Sequence, residues 1–141
     1  MKYTAAVITV SDKGSQGLRQ DTSGPAVRAM LEEAGFAVTH TAILPDEMER
    51  ISAELRDCAD RRGIDLIVTT GGTGLSPRDV TPEATRAVLE REIPAIPVAM
   101  WVEGLKITPR AMLSRAVAGT RGSSLLLNLP GSEKSSLFWM H

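Results

Sequence analysis

Leu66-Ile67-Val68-Thr69-Thr70-Gly71-Gly72-Thr73-Gly74-Leu75-Ser76-Pro77-Arg78-Asp79-Val80-Thr81-Pro82-Glu83 is the stretch on which the fold turns. Its first five residues are apolar or β-branched, a short strand. Gly71-Gly72-Thr73-Gly74 then leads the chain out of the sheet. Thr81-Pro82-Glu83 starts a helix by three rules: a hydroxyl N-cap, proline at the first helical position and a carboxylate near the positive dipole end. That helix is expected to run to about Arg91. A strand leaving through a glycine loop into a helix is the building unit of a parallel sheet.

The same unit recurs toward the amino terminus. Residues 3–10 are a near-continuous apolar run, a strand buried on both faces, and residues 11–17 form a glycine-bearing loop. After Gly24-Pro25, the apolar residues Val27, Met30, Leu31 and Ala34 fall on one helical face, stopped by Gly35. Residues 36–44 are again strand-like, and Pro45-Asp46-Glu47 opens a segment whose Met48, Ile51, Leu55 and Cys58 recur at helical spacing until Gly63. Cys58 lies on that apolar face with no nearby histidine and reads as core, not as a reactive thiol.

Toward the carboxyl terminus, Pro94 and Pro97 interrupt the chain, residues 100–105 have helical character, and residues 109–115 read as a short helix begun by Pro109. Gly119 and Gly122 bracket a turn. Residues 124–129 are a last apolar strand ending in Pro130-Gly131-Ser132, a third glycine-bearing exit. With no repeat or linker, the expectation is one domain over residues 1–141. Its fold class is α/β, a three-layer α/β sandwich with a largely parallel central sheet. Ligands of such sheets bind beyond the carboxyl ends of the strands, where strand order reverses, so the loops after strands one, three and the last are expected to converge on one crevice.

Composition narrows the partners. A chain of 141 residues buries roughly 68% of its unfolded surface, enough for one core. Sixteen Lys and Arg against seventeen Asp and Glu leave no positive field for nucleic acid or an anionic membrane. Apolar runs fall well short of the roughly 20 residues that cross a bilayer, and Lys2 leads straight into strand-like sequence without a signal-peptide core, so a cytoplasmic protein is expected. Cys58 is the single cysteine, and His40 and His141 are the two histidines. That count excludes a disulfide, a zinc-finger cluster and a His-rich site, so any metal is expected to take oxygen ligands.

Glycine lets backbone amides approach a phosphate, which makes residues 70–74 and 129–132 candidate cradles. Neither has P-loop spacing, and Gly72-Thr73-Gly74 lacks the third glycine of a dinucleotide fingerprint, so tight turns remain the alternative. Asp46 follows strand two and Asp79 follows strand three, which places both carboxylates at one end of the sheet. Beside a phosphate cradle they suit Mg²⁺, a hard cation bridging protein and phosphate oxygens. The alternative makes Asp46 a helix cap and Asp79 a turn residue. Arg78, Lys106, Arg110 and Lys134 are either phosphate partners or solvated surface charges.

Residues 69–85, read as one segment, resemble the signature of the MogA/MoaB family of molybdenum cofactor biosynthesis, the molybdopterin adenylyltransferases. The resemblance extends to Val10-Ser11-Asp12 with Asp21 and Gly24, to Leu44-Pro45-Asp46-Glu47, to Pro109-Arg110-Ala111-Met112-Leu113-Ser114-Arg115, and to Asn128-Leu129-Pro130-Gly131-Ser132. It covers residues 3–134. It implies a MogA/MoaB-like fold and adenylyl transfer. The terminal phosphate of molybdopterin attacks the α-phosphorus of ATP, with Mg²⁺ as cofactor, and pyrophosphate leaves. The resemblance marks Asp46 and Asp79 as the critical, Mg²⁺-organising pair. Thr70, Gly71, Gly72, Thr73, Gly74, Ser76 and Arg78 would hold nucleotide phosphates, and Ser11, Asp12, Pro130, Gly131 and Ser132 would shape the substrate crevice. It further implies a homotrimer, with the molybdenum insertase as a further partner.

Two departures accompany it. The family's chains usually continue into another helix where this one stops, so the domain is expected to be short at its carboxyl end, with residues 137–139 a helix stub or a truncated wall. Residues 94–101 are apolar where the family commonly carries glycine and an acid, and Trp101 is expected in the core or at a subunit contact. The alternative function is a MoaB-type molybdopterin-binding protein with little or no adenylyl transfer. A third reading is the related segment of the molybdenum insertase or of the competence-damage-inducible proteins; the length of 141 residues leads to the expectation of a stand-alone form.

Overall fold

A computed structural model describes residues 2–18 and 20–130 of the chain. Its strands are β1 (Thr4–Val10), β2 (Ala37–Leu44), β3 (Leu66–Thr70), β4 (Arg91–Glu92), β5 (Ala118–Arg121) and β6 (Ser124–Leu129). They form one sheet in the order β2-β1-β3-β6-β5-β4. β2, β1, β3 and β6 are mutually parallel, β5 runs antiparallel to β6, and β4 antiparallel to β5.

Helices cover both faces: α1 (Asp12–Ser15), α2 (Ser23–Glu33), α3 (Met48–Arg56), α4 (Thr81–Arg86) and α5 (Ala95–Leu105), with a π-helical turn at Asp57–Arg61 and a 3₁₀ turn at Pro109–Leu113. The period-2 alternation of β1 divides the core. Ala5 and Val7 pack with Val27 and Leu31 of α2, whereas Ala6, Ile8 and Val10 pack with Ile51, Leu55 and Cys58 on the α3 side. Both faces of β1 are therefore covered, which is why its sequence is continuously apolar. The result is the three-layer, largely parallel α/β sandwich expected.

Several elements differ from the sequence reading. The helix after Thr81 ends at Arg86 rather than about Arg91, because Arg91 and Glu92 join the sheet edge beside β5. Gly119 lies within β5, and only Gly122 (φ +57°) makes the β5–β6 turn. α5 begins at Ala95, six residues before Trp101, with Pro97 in its first turn, where a missing N–H costs nothing. Thr81 is not a cap: its buried hydroxyl has no hydrogen-bond partner among the described residues, and Val80 precedes the helix. Cys58 is buried as expected, yet a histidine does lie beside it. A register shift in the β1–β2 pairing sets Ala5 opposite Val38 and Ala6 opposite His40, and turns His40 toward α3.

Candidate functional site

The carboxyl ends of β1, β2, β3 and β6 point the same way. The chain passes from β1 outward to β2 and then back across to β3, so strand order reverses between β1 and β3. A cleft of about 410 Å³ opens there, lined by Thr9, Ser11, Asp21, Ser23, Asp46, Thr70, Gly71, Gly72 and Asp79 among others. This is the place a parallel α/β sheet offers a ligand.

The floor is built by the exit from β3. Gly71 has φ +102°, donates its amide to Leu129 O at 3.1 Å, and leaves less than 3.0 Å between a Cβ and Val10 O, so no side chain fits. Thr70 Oγ1 lies 3.0 Å from Ser23 Oγ and donates to Pro130 O at 3.1 Å, joining the β3 and β6 exits to the start of α2. Gly72 (φ +72°) accepts the Thr81 amide on its carbonyl at 3.1 Å. Arg115 holds the rest of the loop. Its amide donates to Thr73 O (2.9 Å), its Nε to Gly74 O (2.8 Å), its Nη2 to Asp79 O (2.6 Å) and its Nη1 to Glu83 Oε2 (2.5 Å).

The aspartates meet across the opening. The Asp46 amide donates to Asp12 Oδ1 at 2.9 Å and the Asp12 amide to Asp46 Oδ2 at 3.1 Å, a reciprocal bridge between the β1 and β2 exits. Arg78 grips Asp12 with Nε and Nη2 at 2.9 and 2.8 Å. That guanidinium, with the Asp46 amide, holds the Asp12 carboxyl below the usual range. Asp46 goes the other way. Partial burial pushes its carboxyl up, and the charges of Asp12 and Asp79 add to that against the opposing Asp12 amide and Arg78. Asp79 accepts the Ser76 amide on Oδ2 at 2.9 Å, and the same oxygen stands 3.0 Å from the Cβ position of Gly74.

A desolvated carboxylate facing two like charges is a place where a cation relieves repulsion. The Thr81 hydroxyl, buried and unpartnered among the described residues, opens onto the same space, where the Cβ position of Gly72 is also 3.1 Å from Asp46 Oδ1. With oxygen donors alone, this cluster fits a hard divalent ion such as Mg²⁺.

Of the residues expected at the site, Ser11, Thr70, Gly71, Gly72, Asp46 and Asp79 line the cleft. Asp12 and Arg78 are joined to its rim through Asp46, and Thr73, Gly74 and Ser76 shape the loop beside it. Gly71 frames the site with its amide already engaged by β6. Pro130 stands at the β6 exit, while Gly131, Ser132 and Lys134 lie outside the described residues. Lys106 is exposed and pairs with Glu103, and Arg110 is also exposed. Three contributors lacked an assigned role. Arg115 braces the loop, Asp21 bonds Thr9 Oγ1 and the Gly24 amide at the α2 start, and buried Asn128 donates to Thr69 and Thr85 while accepting from the Val117 amide. Each falls in a segment quoted above for its resemblance, yet the signal of its role is a spatial network.

Sheet order, a glycine floor and paired carboxylates at the reversal point define an α/β domain with a polar cleft at its strand ends. The chain belongs to the family described as probable molybdopterin binding domain, which matches residues 6–141. It is 44% identical over 131 residues to the molybdopterin adenylyltransferase of Haemophilus influenzae, covering 92% of this chain and 66% of that protein. It is 48% identical over 134 residues to the molybdenum cofactor synthesis protein cinnamon of Drosophila melanogaster, covering 94% of this chain but 22% of cinnamon. The molybdopterin biosynthesis enzyme MoaB of Thermus thermophilus superposes with a TM-score of 0.93 at 51% identity, over 98% of this chain and 87% of that one. The chain thus spans about a fifth of cinnamon and just under two thirds of the Haemophilus protein.

Proposed function

We propose that this chain is a molybdopterin adenylyltransferase acting in molybdenum cofactor biosynthesis. The observation that carries the reading is the convergence of Asp46 and Asp79 on one cleft whose floor is the Gly71-Gly72 turn. A terminal phosphate of the pterin and the α-phosphorus of ATP are to be brought in line there. A new phosphorus–oxygen bond forms at the α-phosphorus as the bond to the β-phosphate breaks, and pyrophosphate leaves. The substrate phosphate is itself the nucleophile, so the protein supplies positioning and charge compensation.

Asp46 and Asp79 are the residues to hold Mg²⁺, which neutralises phosphate charge when bound. The amides after Gly71 and the hydroxyls of Thr73 and Ser76 approach phosphate oxygens, Ser11 bounds the crevice, and Pro130 stands at the β6 exit beside Thr70. Arg78 gives the rim a positive charge while keeping Asp12 ionised. Relatives named as adenylyltransferases support this activity. The whole of residues 1–141 is read as one such domain working in the cytoplasm. A homotrimer is proposed as well, supported by the exposed apolar edge of Val102, Leu105, Ile107 and Met112, on the α5 side where Trp101 is half-buried. The molybdenum insertase is proposed to receive the product.

A single-turnover assay with molybdopterin, ATP and Mg²⁺, read by mass, tests the reading. Adenylylated pterin and pyrophosphate should form together, vanish on chelation, and be absent in folded Asp79→Asn. Asp46→Asn should raise the Mg²⁺ concentration required. An active Asp79→Asn protein overturns the metal-organising pair, and pterin binding without any transfer moves the chain to the MoaB-type binding reading.

A further inference from the structure

We propose that His40, Glu54 and Cys58 form a second metal site, separate from the cleft, that takes one zinc-class divalent cation and staples the edge strand β2 to α3. His40 Nε2 lies 2.5 Å from Glu54 Oε1, Cys58 Sγ lies 3.8 Å from the same oxygen, and the three ligand atoms are all within 4.8 Å of one another. Tetrahedral zinc with bonds of about 2.0–2.3 Å places its ligand atoms about 3.4–3.6 Å apart. The sulfur–oxygen spacing is already close to that. The nitrogen–oxygen pair has to part by about 1 Å as its hydrogen bond gives way to a shared ion, again from those bond lengths.

Two local irregularities bring these side chains together. Val38 packs on the α2 face of the sheet and Ala42 on the α3 face, although strict alternation would put both on one face. The intervening register shift reverses the alternation and delivers His40 to α3 with Ala42. On the helix side, α3 gives way to the π-helical turn Asp57–Arg61, which carries Cys58 four residues after Glu54. Cys58 is fully buried, while the His40 and Glu54 side chains are 17% and 22% exposed, so an ion enters past those two and meets the sulfur beneath.

The donor set selects the cation. One thiolate, one imidazole and one carboxylate suit zinc and its neighbours, whereas Mg²⁺ prefers oxygen alone. Three protein ligands leave the fourth position to water. Binding breaks the S–H bond of Cys58 and the metal–sulfur bond replaces it, with the proton released to solvent.

Co²⁺ and Zn²⁺ alone, titrated into the full chain and into an Asp46→Asn/Asp79→Asn variant, provide the test. Co²⁺ should bind one per chain in both proteins with a near-ultraviolet thiolate-to-cobalt absorption, and Zn²⁺ should displace it and raise the Tm. Excess Mg²⁺ should do neither. Cys58→Ala should abolish the absorption. His40→Gln, which changes a partly exposed strand residue and keeps the core intact, should weaken binding at least about tenfold. The proposal is overturned by saturating Co²⁺ without the thiolate absorption, by unchanged affinity in His40→Gln, or by binding that disappears with the cleft aspartates.

Discussion

Gly71 and Gly35 adopt nearly the same backbone conformation, φ +102° and +101°, in opposite surroundings. A Cβ at Gly35 meets nothing within 4 Å, whereas at Gly71 it falls inside 3.0 Å of Val10 O. Alanine at either position strains a left-handed backbone by about 1–2 kcal/mol, offset in part by the smaller entropy of the unfolded chain, about 0.4–1 kcal/mol. Gly35→Ala should therefore cost about 1 kcal/mol net. Gly71→Ala adds an overlap that cannot be relieved by rotating a side chain. The obstructing oxygen belongs to β1, fixed by its pairing to β2 and β3, and the Gly71 amide is tied to Leu129 O. Overpacking of that kind adds about 1–3 kcal/mol, giving about 3 kcal/mol in all. With a urea slope of about 2 kcal/mol/M, the midpoint should fall by about 0.5 M for Gly35→Ala and about 1.5 M for Gly71→Ala. Far-UV circular dichroism at equal protein concentration measures both. Equal midpoint shifts would refute the claim that the close approach to β1, and not torsion alone, requires glycine at the cleft floor.

Asp46 has a folded-state pKa above its unfolded value, so its ionised form destabilises the protein above the folded pKa, and that cost fades as pH falls through the folded pKa and is gone below the unfolded value of 3.8. Asp46→Asn should accordingly melt higher than the parent at neutral pH, with the gap closing toward acid; a gap independent of pH would contradict the assignment. Asp12 has the opposite sign: its stabilisation is present above 3.8 and is lost as pH falls through its lowered folded pKa. Asn128→Leu removes three buried side-chain hydrogen bonds of 2.8, 3.0 and 3.1 Å and strands the Val117 amide. At about 1–3 kcal/mol per unpaired group, the loss in chemical denaturation should reach about 3 kcal/mol, and a loss below about 1 kcal/mol would show that water replaces the network.

The long parallel strands were legible because burial on both faces leaves a continuous apolar signature, as in β1 and β3. β4 and β5 were not. They contribute two and four residues, contain Gly119, and gain their hydrogen bonds from a neighbour rather than from any period of their own. The two aspartates were legible as residues following strands, since topology alone sets them at one end of the sheet. The opposite shifts of Asp12 and Asp46 were not, because burial raises Asp46 while Arg78, 66 positions away in sequence, lowers Asp12. Arg115 and Asn128 escaped a role for the same reason, and His40 escaped because a single shifted pairing decides which face a strand residue presents.

Arg115 engages three loop carbonyls and Glu83 without lining the cleft. A loop fastened from behind in this way loses its conformational entropy when the chain folds, not when a guest arrives. The binding proposed at residues 72–79 would then be free of an ordering penalty, and the proposed substrates should meet a cavity whose shape is the same before and after they enter. Affinity in such a site tracks complementarity rather than the readiness of the loop to close, so changes at Arg115 should slow productive encounters and weaken binding while the groups that touch substrate stay intact.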